Sequence, residues 1–188
     1  MSKKLNALML AGLIGLLIVA IGLSFLFGID NPVSWILILV LIGIVFLYRR
    51  SAERRQLKWK PEYSVGVATL DEDHKKLIDL LNKFQTAYEH ETGDEFERQA
   101  LNELIDYTKY HFDREEQLME DNGYPDLDAH KRKHVEMIDQ VDQFVADYNK
   151  RGHEALESVA DFLKGWLINH INGTDKQYGP YLNSKGVS

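Results

Sequence analysis

The sequence predicts an all-α protein: an up-down four-helix bundle preceded by a two-helix transmembrane hairpin. Three observations predict this architecture. Residues 5–27 and 33–48 form two apolar runs without a charged side chain. From Trp59 onward, apolar residues recur three or four positions apart in four stretches. Connections of only a few residues, rich in Gly, Asn and Pro, separate these stretches, as is typical of a bundle.

Both apolar runs are candidates for membrane-spanning helices. At about 1.5 Å per residue, a helix over residues 5–27 crosses the roughly 30 Å of hydrocarbon in a bilayer. The second run, 33–48, is shorter and spans fully only if Trp35, Tyr48 and Arg49 lie at the membrane interfaces. A cleaved signal peptide or a buried core helix is the alternative. Because a second apolar run follows at once and no small-x-small cleavage site precedes it, a signal peptide fits poorly.

Basic residues lie on both sides of the two runs and not between them: Lys3, Lys4, Arg49, Arg50, Arg54 and Arg55. The positive-inside rule therefore places both ends of the hairpin in the cytoplasm. The predicted domains are a membrane anchor at residues 1–50, a basic linker at 51–60 and a cytoplasmic bundle at 61–188.

Composition excludes several kinds of site. The chain of 188 residues has no cysteine, which excludes disulfides, thiolate zinc sites, iron–sulfur clusters and thiol catalysis. The first 60 residues carry eight Lys and Arg against two acidic residues, a net charge of +6, which leaves −13 for the rest of a chain of net charge −7. So acidic a domain repels a phosphate backbone, and nucleic acid is not expected as a partner.

Glycine, proline and asparagine delimit the four amphipathic stretches of the predicted bundle. The stretches cover approximately residues 70–92, 94–121, 126–150 and 153–171. Asp94 and Glu97 have the spacing of a capping box, which predicts that Asp94 begins the second helix.

Five of the seven histidines lie on predicted inward faces, most with a partner one turn away. This set comprises His74, His111 with Glu115, His130 with His134, and His170 with Asp175. Residues four apart project from one face of a helix. Because His170 and Asp175 are five apart, both reach the centre only if the helix bulges or ends between them, which Gly173 favours. His90 and His153 lack such partners and are expected to be exposed to solvent.

This donor set limits the metal that it suits. Five imidazoles and two carboxylates are too many for one tetrahedral zinc and too rich in nitrogen for magnesium or calcium. They suit two first-row metals bridged by both carboxylates, with three histidines on one metal and two on the other. If a solvent oxygen also bridges, the three-histidine metal is saturated and its neighbour keeps one open position. No Glu stands three residues before any histidine, unlike the Glu-x-x-His pairs of ferritin-type di-iron proteins.

Several motifs surround these residues: His74, His111-Phe112-x-x-Glu115-Glu116, Met119, Tyr124-Pro125, His130-x-x-x-His134, Trp166-Leu167-x-x-His170-x-x-x-x-Asp175, an opening Trp59-x-x-x-Tyr63-Ser64-Val65-Gly66 and a closing Tyr178-Gly179-Pro180-Tyr181-Leu182. Together they resemble the signature of the bacterial hemerythrins, or bacteriohemerythrins, a family of non-heme di-iron oxygen carriers and sensors. The resemblance covers about residues 59–185. Asp73 stands where that family often has Gln or Glu, and the apolar hairpin lies outside the family pattern.

The resemblance implies a cofactor of two iron ions, Fe²⁺ or Fe³⁺, with an oxo or hydroxo bridge. Under it, His130, His134 and His170 hold the saturated iron, His74 and His111 hold the open one, and Glu115 and Asp175 bridge the pair. Reversible oxygen binding needs a dry apolar wall beside the open iron. By helical adjacency, the candidates for this wall are Ile78, Phe112, Leu118, Leu167 and Ile171.

The function that this implies is reversible dioxygen binding, not catalysis, at the cytoplasmic face of a bacterial inner membrane. The bound oxygen would serve storage, delivery to a membrane enzyme that consumes oxygen, or sensing. The alternative is a di-iron enzyme that reduces nitric oxide, peroxide or oxygen. An enzyme would need a proton donor near the open iron, and the sequence offers no clear candidate.

Overall fold

The computed structural model describes residues 3–90 and 92–188, and within these ranges it contains helices and turns but no strand. The prediction of an all-α protein is therefore confirmed. The chain forms two compact units, Met1–Gln56 and Leu57–Ser188.

The first unit is a pair of long apolar helices, α1 (Lys3–Ser24) and α2 (Pro32–Arg55), with a 3₁₀ turn at Phe25–Phe27 between them. By length and composition alone, the segments Leu8–Phe27 and Pro32–Arg50 are each able to cross a membrane. Helix α2 continues to Arg55, into the segment predicted as a linker. Residues 51–55 read Ser-Ala-Glu-Arg-Arg, and most of these are strong helix formers.

Polar groups at the turn of this hairpin are paired with one another. Asn31 caps α2, because its side-chain oxygen accepts a hydrogen bond from the backbone N–H of Val33 at 3.1 Å. The hydroxyls of Ser24 and Ser34 lie 2.7 Å apart and join the two helices at buried positions. These bonds join the turn to both helices of the hairpin.

The second unit is the bundle, with helices α3 (Ala68–Glu89), α4 (Asp94–Asp121), α5 (Leu127–Arg151) and α6 (Leu156–His170). A π-helical turn, Ile171–Asp175, connects α6 to a short final helix, α7 (Lys176–Ser184). Helices α3 and α5 each pack against both α4 and α6. Short connections between neighbours make the arrangement up-down, as predicted.

One helix boundary and one helix cap differ from the sequence-based expectation. The fourth helix does not end at Asn172 and Gly173, because the π turn carries it on into α7. The second helix begins at Asp94, as predicted, but the capping box is not formed as expected: the N-cap residue is Gly93, with φ of 105°, and no side-chain cap is made there. The Glu97 side chain is buried in the bundle, where its Oε1 lies 2.8 Å from His153 Nδ1.

Candidate metal centre

The structure brings the seven predicted side chains together at one level of the bundle. They are His74, His111, Glu115, His130, His134, His170 and Asp175, and none is more than 6% exposed. Titratable groups this deeply buried are rare unless they are paired or bind a metal.

Helix geometry explains how each pair reaches the centre. His111 and Glu115 on α4 are one turn apart, as are His130 and His134 on α5, so each pair projects from one face. On a regular α-helix, His170 and Asp175 would diverge by about 140°. The wider π turn, Ile171–Asp175, brings Asp175 Oδ1 to 3.0 Å from His170 Nε2. Of the two alternatives left by the sequence, the bulge is the one observed.

Three imidazoles and one carboxylate form the first ligand group. The Nε2 atom of His134 lies 3.1 Å from that of His130 and 3.0 Å from that of His170. Glu115 Oε2 lies 3.2 Å from the Nε2 atoms of both His130 and His134. These four donor atoms lie within 4.8 Å of one another, close enough to hold one metal ion.

His74 and His111 form a second group with the same Glu115. Their rings meet edge to face, with centroids 4.8 Å apart. His111 Nε2 lies 3.9 Å from Glu115 Oε2. Glu115 therefore belongs to both groups.

Asp175 also lies between the two groups. Its Oδ1 faces His170 at 3.0 Å, and its Oδ2 faces His74 Nε2 at 3.3 Å. One oxygen is thus directed to each group, which is the disposition of a bridging carboxylate.

Despite these close approaches, several buried atoms of the cluster make no hydrogen bond. They are both ring nitrogens of His74, Nδ1 of His111, Oε1 of Glu115 and both carboxylate oxygens of Asp175. An unsatisfied buried polar group costs about 1–3 kcal/mol, so several together require an explanation. Imidazole nitrogen and carboxylate oxygen are donors suited to first-row transition metals, and a metal pair would engage most of these lone pairs.

The charges in the cluster balance one another. Burial alone would raise the pKa of Glu115, but the field of His111 and hydrogen bonds from two further imidazoles hold it well below its usual value. Burial would likewise raise the pKa of Asp175, yet the imidazole of His170 lowers it. Both carboxylates are therefore ionised, the form that binds a cation.

Two carboxylates outside the seven approach the outer nitrogens of candidate ligands. His134 Nδ1 is 2.8 Å from Glu116 Oε1, and His111 Nδ1 is 3.6 Å from Asp73 Oδ2. The sequence predicts no contact for Glu116, and it identifies Asp73 only as a difference from the family pattern. Each contact joins two different helices, so it could not be predicted from the spacing of residues within one helix.

Two aromatic rings pack face to face against candidate ligands. Phe112 stacks on His134, with centroids 3.6 Å apart and planes 3° apart. Trp166 stacks on His170, with centroids 4.1 Å apart and planes at 15°. These stacks fix the orientation of the two imidazoles.

A small apolar cavity of about 20 Å³ adjoins the cluster. A cavity needs roughly 10–15 Å³ to hold one water molecule, so this one has room for a single small ligand. Its lining combines His74, His111, His170 and Asp175 with Leu77, Leu81, Leu104, Thr108, Phe112, Met137, Leu163, Trp166 and Leu167.

Of the five predicted wall residues, Phe112 and Leu167 line this cavity, whereas Ile78, Leu118 and Ile171 do not. The correction has a geometric reason. On α4 and α6, most residues that line the cavity come before the candidate ligands in the sequence. Leu118 and Ile171 come after those ligands, so they lie on the other side of the ligand cluster from the cavity.

On α3, the residues three and four positions after His74 diverge to opposite sides, by about 60° and 40°. The cavity lies on the side of Leu77, not that of Ile78. The lining on α5 and most of the lining on α6 was not anticipated, because it depends on how each helix is rotated about its axis.

The two histidines expected to be exposed behave differently. His90 is exposed. His153 is only half-buried, and its Nδ1 lies 2.8 Å from Oε1 of the buried Glu97. The expectation for His153 was wrong, because the pairing spans 56 residues and joins the start of α4 to the turn before α6.

Comparisons with known proteins agree with this geometry. A family model described as the hemerythrin HHE cation binding domain matches residues 65–182, which include all seven candidate ligands. The bacteriohemerythrin of Stenotrophomonas maltophilia is 34% identical over 134 residues, covering 68% of this chain and 82% of that protein. The bacteriohemerythrin of Methylococcus capsulatus is 35% identical over 127 residues, covering 65% and 93%.

Solved hemerythrin structures share the fold. A wild-type hemerythrin crystal structure superposes with a TM-score of 0.56 at 32% identity, covering 67% of this chain and 97% of that one. A variant with a leucine replaced by alanine gives the same score and identity. By fold, by the buried histidine and carboxylate cluster and by sequence, the chain belongs to the hemerythrin family.

Proposed function

We propose that the bundle binds dioxygen reversibly at a di-iron centre held by the seven buried side chains. The observation that carries this proposal is that two ligand groups share Glu115 and adjoin an apolar cavity large enough for one small molecule. Membership of the hemerythrin family supports the same proposal.

In this proposal each ligand group holds one iron. His130, His134 and His170 bind the first iron, and His74 and His111 bind the second. Glu115 and Asp175 bridge the two, as their positions between the groups suggest. The second iron would be the one that binds oxygen, because this group supplies one histidine fewer and both of its histidines line the cavity, whereas only His170 of the first group does.

Iron held by these residues would supply two electrons to dioxygen reversibly. The protein must therefore keep water and protons from the cavity. Nine of the thirteen lining residues are not candidate ligands, and eight of those nine are aliphatic, aromatic or Met. The hydroxyl of the ninth, Thr108, donates to the backbone carbonyl of Leu104 at 2.8 Å. It is thus committed to the helix and is not available as a proton donor.

The first test is metal and oxygen binding by histidine variants of the full chain. His74→Ala and His111→Ala should each lose the oxygenated absorption spectrum and lower the iron content, whereas the exposed His90→Ala should retain both. Circular dichroism checks that every variant is folded. Equal behaviour of all three folded variants would contradict the ligand assignment.

A second test separates binding from the enzymatic alternative. The wild-type oxygenated spectrum should disappear under argon and return in air through several cycles. Thr108→Val should leave this cycle unchanged. Steady-state consumption of nitric oxide, peroxide or oxygen with a reductant, abolished in Thr108→Val, would instead favour an enzyme that uses this hydroxyl.

We also propose that α1 and α2 anchor the bundle at the cytoplasmic face of a bacterial inner membrane. Both helices are apolar over spans long enough to cross a bilayer, and basic residues flank both outer ends of the hairpin but are absent from its turn. The natural absence of cysteine makes labelling clean. A membrane-impermeant maleimide should label Asp30→Cys in intact spheroplasts but Ser184→Cys only after lysis; the reverse pattern would overturn the orientation.

An anchored oxygen-binding domain suits storage of oxygen or its delivery to an oxygen-consuming enzyme in the same membrane. Membranes that carry the protein should sustain respiration longer after the oxygen supply stops than membranes that carry His74→Ala. If the two respire alike, delivery is excluded, and a sensing role becomes the better interpretation.

A further inference from the structure

Asp73 is a buried carboxylate that the ligand set does not use. It is only 3% exposed, although it stands at the start of α3 beside a candidate ligand. A charged group in such a place is expected to be paired and hydrogen bonded.

Two donors hold Asp73 from the outer side. The Tyr107 hydroxyl donates to Oδ1 at 2.8 Å, and Nη1 of Arg114 lies 3.2 Å from both carboxylate oxygens. The Arg114 guanidinium in turn lies 5.3 Å from the ring centroid of Tyr110. Asp73 is therefore fixed in place, with its charge balanced by Arg114.

The inner side of Asp73 faces His111. Oδ2 lies 3.6 Å from His111 Nδ1, a ring nitrogen that is buried and has no hydrogen-bond partner. The opposite nitrogen, Nε2, faces Glu115. If Nε2 binds a metal, Nδ1 carries the proton, and Asp73 is the carboxylate positioned to accept it.

We propose that Asp73 is a positioning residue for the metal that His111 binds: it fixes the ring with Nδ1–H outward and Nε2 inward, and its negative charge raises the electron donation of His111. Because Asp73 is held by Tyr107 and Arg114, a small rotation of the His111 ring alone would bring its Nδ1, now 3.6 Å away, within hydrogen-bond distance of Oδ2. The inference rests on the proposed function and extends it, because it assigns control of the oxygen-binding iron to a residue outside the ligand set.

Glu116 provides the matched control, since it makes the corresponding contact at the other ligand group. Its Oε1 lies 2.8 Å from His134 Nδ1, but its side chain is 23% exposed and Lys131 lies 3.8 Å away. Water can replace the Glu116 contact, and the Phe112 ring still orients His134 by stacking. Removing the charge of Asp73 should therefore have the larger effect.

The experiment compares Asp73→Asn, Asp73→Glu and Glu116→Gln in the full chain with the wild type. Anaerobic titration with Fe²⁺, and with Co²⁺ as an optical probe, measures the affinity of each metal position. Asp73→Asn should weaken one of the two positions by roughly 10–100-fold and leave the other intact. Asp73→Glu, which keeps the charge, should recover most of this loss, and Glu116→Gln should change affinity less than Asp73→Asn does.

The reduction potential gives a readout that a merely structural role would not move. Because a less electron-rich His111 favours ferrous over ferric iron, Asp73→Asn should raise the potential of one iron, by about 59 mV for each tenfold change in that ratio. Circular dichroism confirms that the variants are folded.

The outcomes separate the inference from the proposed function. Wild-type affinity and potential in folded Asp73→Asn would overturn the positioning role, whether or not the protein binds oxygen. Equal effects of Asp73→Asn and Glu116→Gln would also overturn it, because burial would then confer no special role. Failure of the wild type to bind oxygen, with two metal positions still sensitive to Asp73, would overturn the proposed function alone.

Discussion

Among the glycines of the bundle, Gly179 in α7 has the closest contact with the backbone of another segment. A Cβ atom at this position would lie 2.0 Å from the carbonyl oxygen of Val65 and 3.1 Å from its carbonyl carbon. Ordinary contact begins near 3.4 Å, so the two segments would have to separate by about 1.4 Å. The Val65 segment cannot swing aside freely, because its N–H donates to Asp71 on α3 at 2.8 Å.

We therefore expect Gly179→Ala to destabilise the bundle. Overpacking typically costs about 1–3 kcal/mol, and a backbone-to-backbone clash belongs at or above the upper end of that range. Alanine recovers about 1 kcal/mol through its greater helix propensity, which leaves a net loss of about 2 kcal/mol. Such a loss lowers the melting temperature by on the order of 5–10 °C.

Gly165→Ala is the matched control, because Gly165 lies inside α6 with no atom within 4 Å of its would-be Cβ. It should gain up to about 1 kcal/mol, the opposite sign. Thermal unfolding of both metal-free variants, followed by circular dichroism in detergent, measures the difference. A Gly179→Ala variant as stable as the wild type would refute the close approach of α7 to Val65.

Three further predictions concern buried polar groups and the cavity. Burial and the hydrogen bond to Asp73 raise the pKa of Tyr107 to about 12; Asp73→Asn should return it towards 10, as measured by NMR of the labelled ring. Because folded Tyr107 keeps its proton where the unfolded chain loses it, this residue's contribution to wild-type stability should fall as pH rises from about 10 to 12. His153→Ala should lower the free energy of unfolding in urea by about 1–3 kcal/mol, since buried Glu97 loses its partner; a change no larger than that of an exposed-histidine variant would contradict this. Leu81→Ala should cost about 2–5 kcal/mol and enlarge the cavity, which xenon binding would detect.

The features that could be predicted from the sequence are those set within one helix. His111 with Glu115, and His130 with His134, share a helix face whatever the surroundings, so their convergence followed from spacing. The π turn was one of two alternatives, because spacing alone requires either a bulge or a helix end between His170 and Asp175.

Features that depend on the rotation of one helix against another could not be predicted. Asp73 precedes His74 in the chain but contacts Tyr107, His111 and Arg114 on α4. Glu97 has the spacing of a capping residue, and the residues around it give no indication of its contact with His153. Leu77, and not Ile78, lines the cavity on α3, which again depends on how that helix is rotated against its neighbours.

The π turn determines the position of two separate parts of the bundle, Asp175 in the ligand cluster and Gly179 beside Val65. If these five residues were wound as a regular α-helix, everything downstream would be rotated by about 100° about the helix axis. Asp175 would leave the cluster, and in the same step Gly179 would no longer face Val65, so a bulkier residue would meet that carbonyl. The π turn thus both directs Asp175 into the cluster and seats the C-terminal helix against Val65, so an α-helical turn of the same length would displace both together.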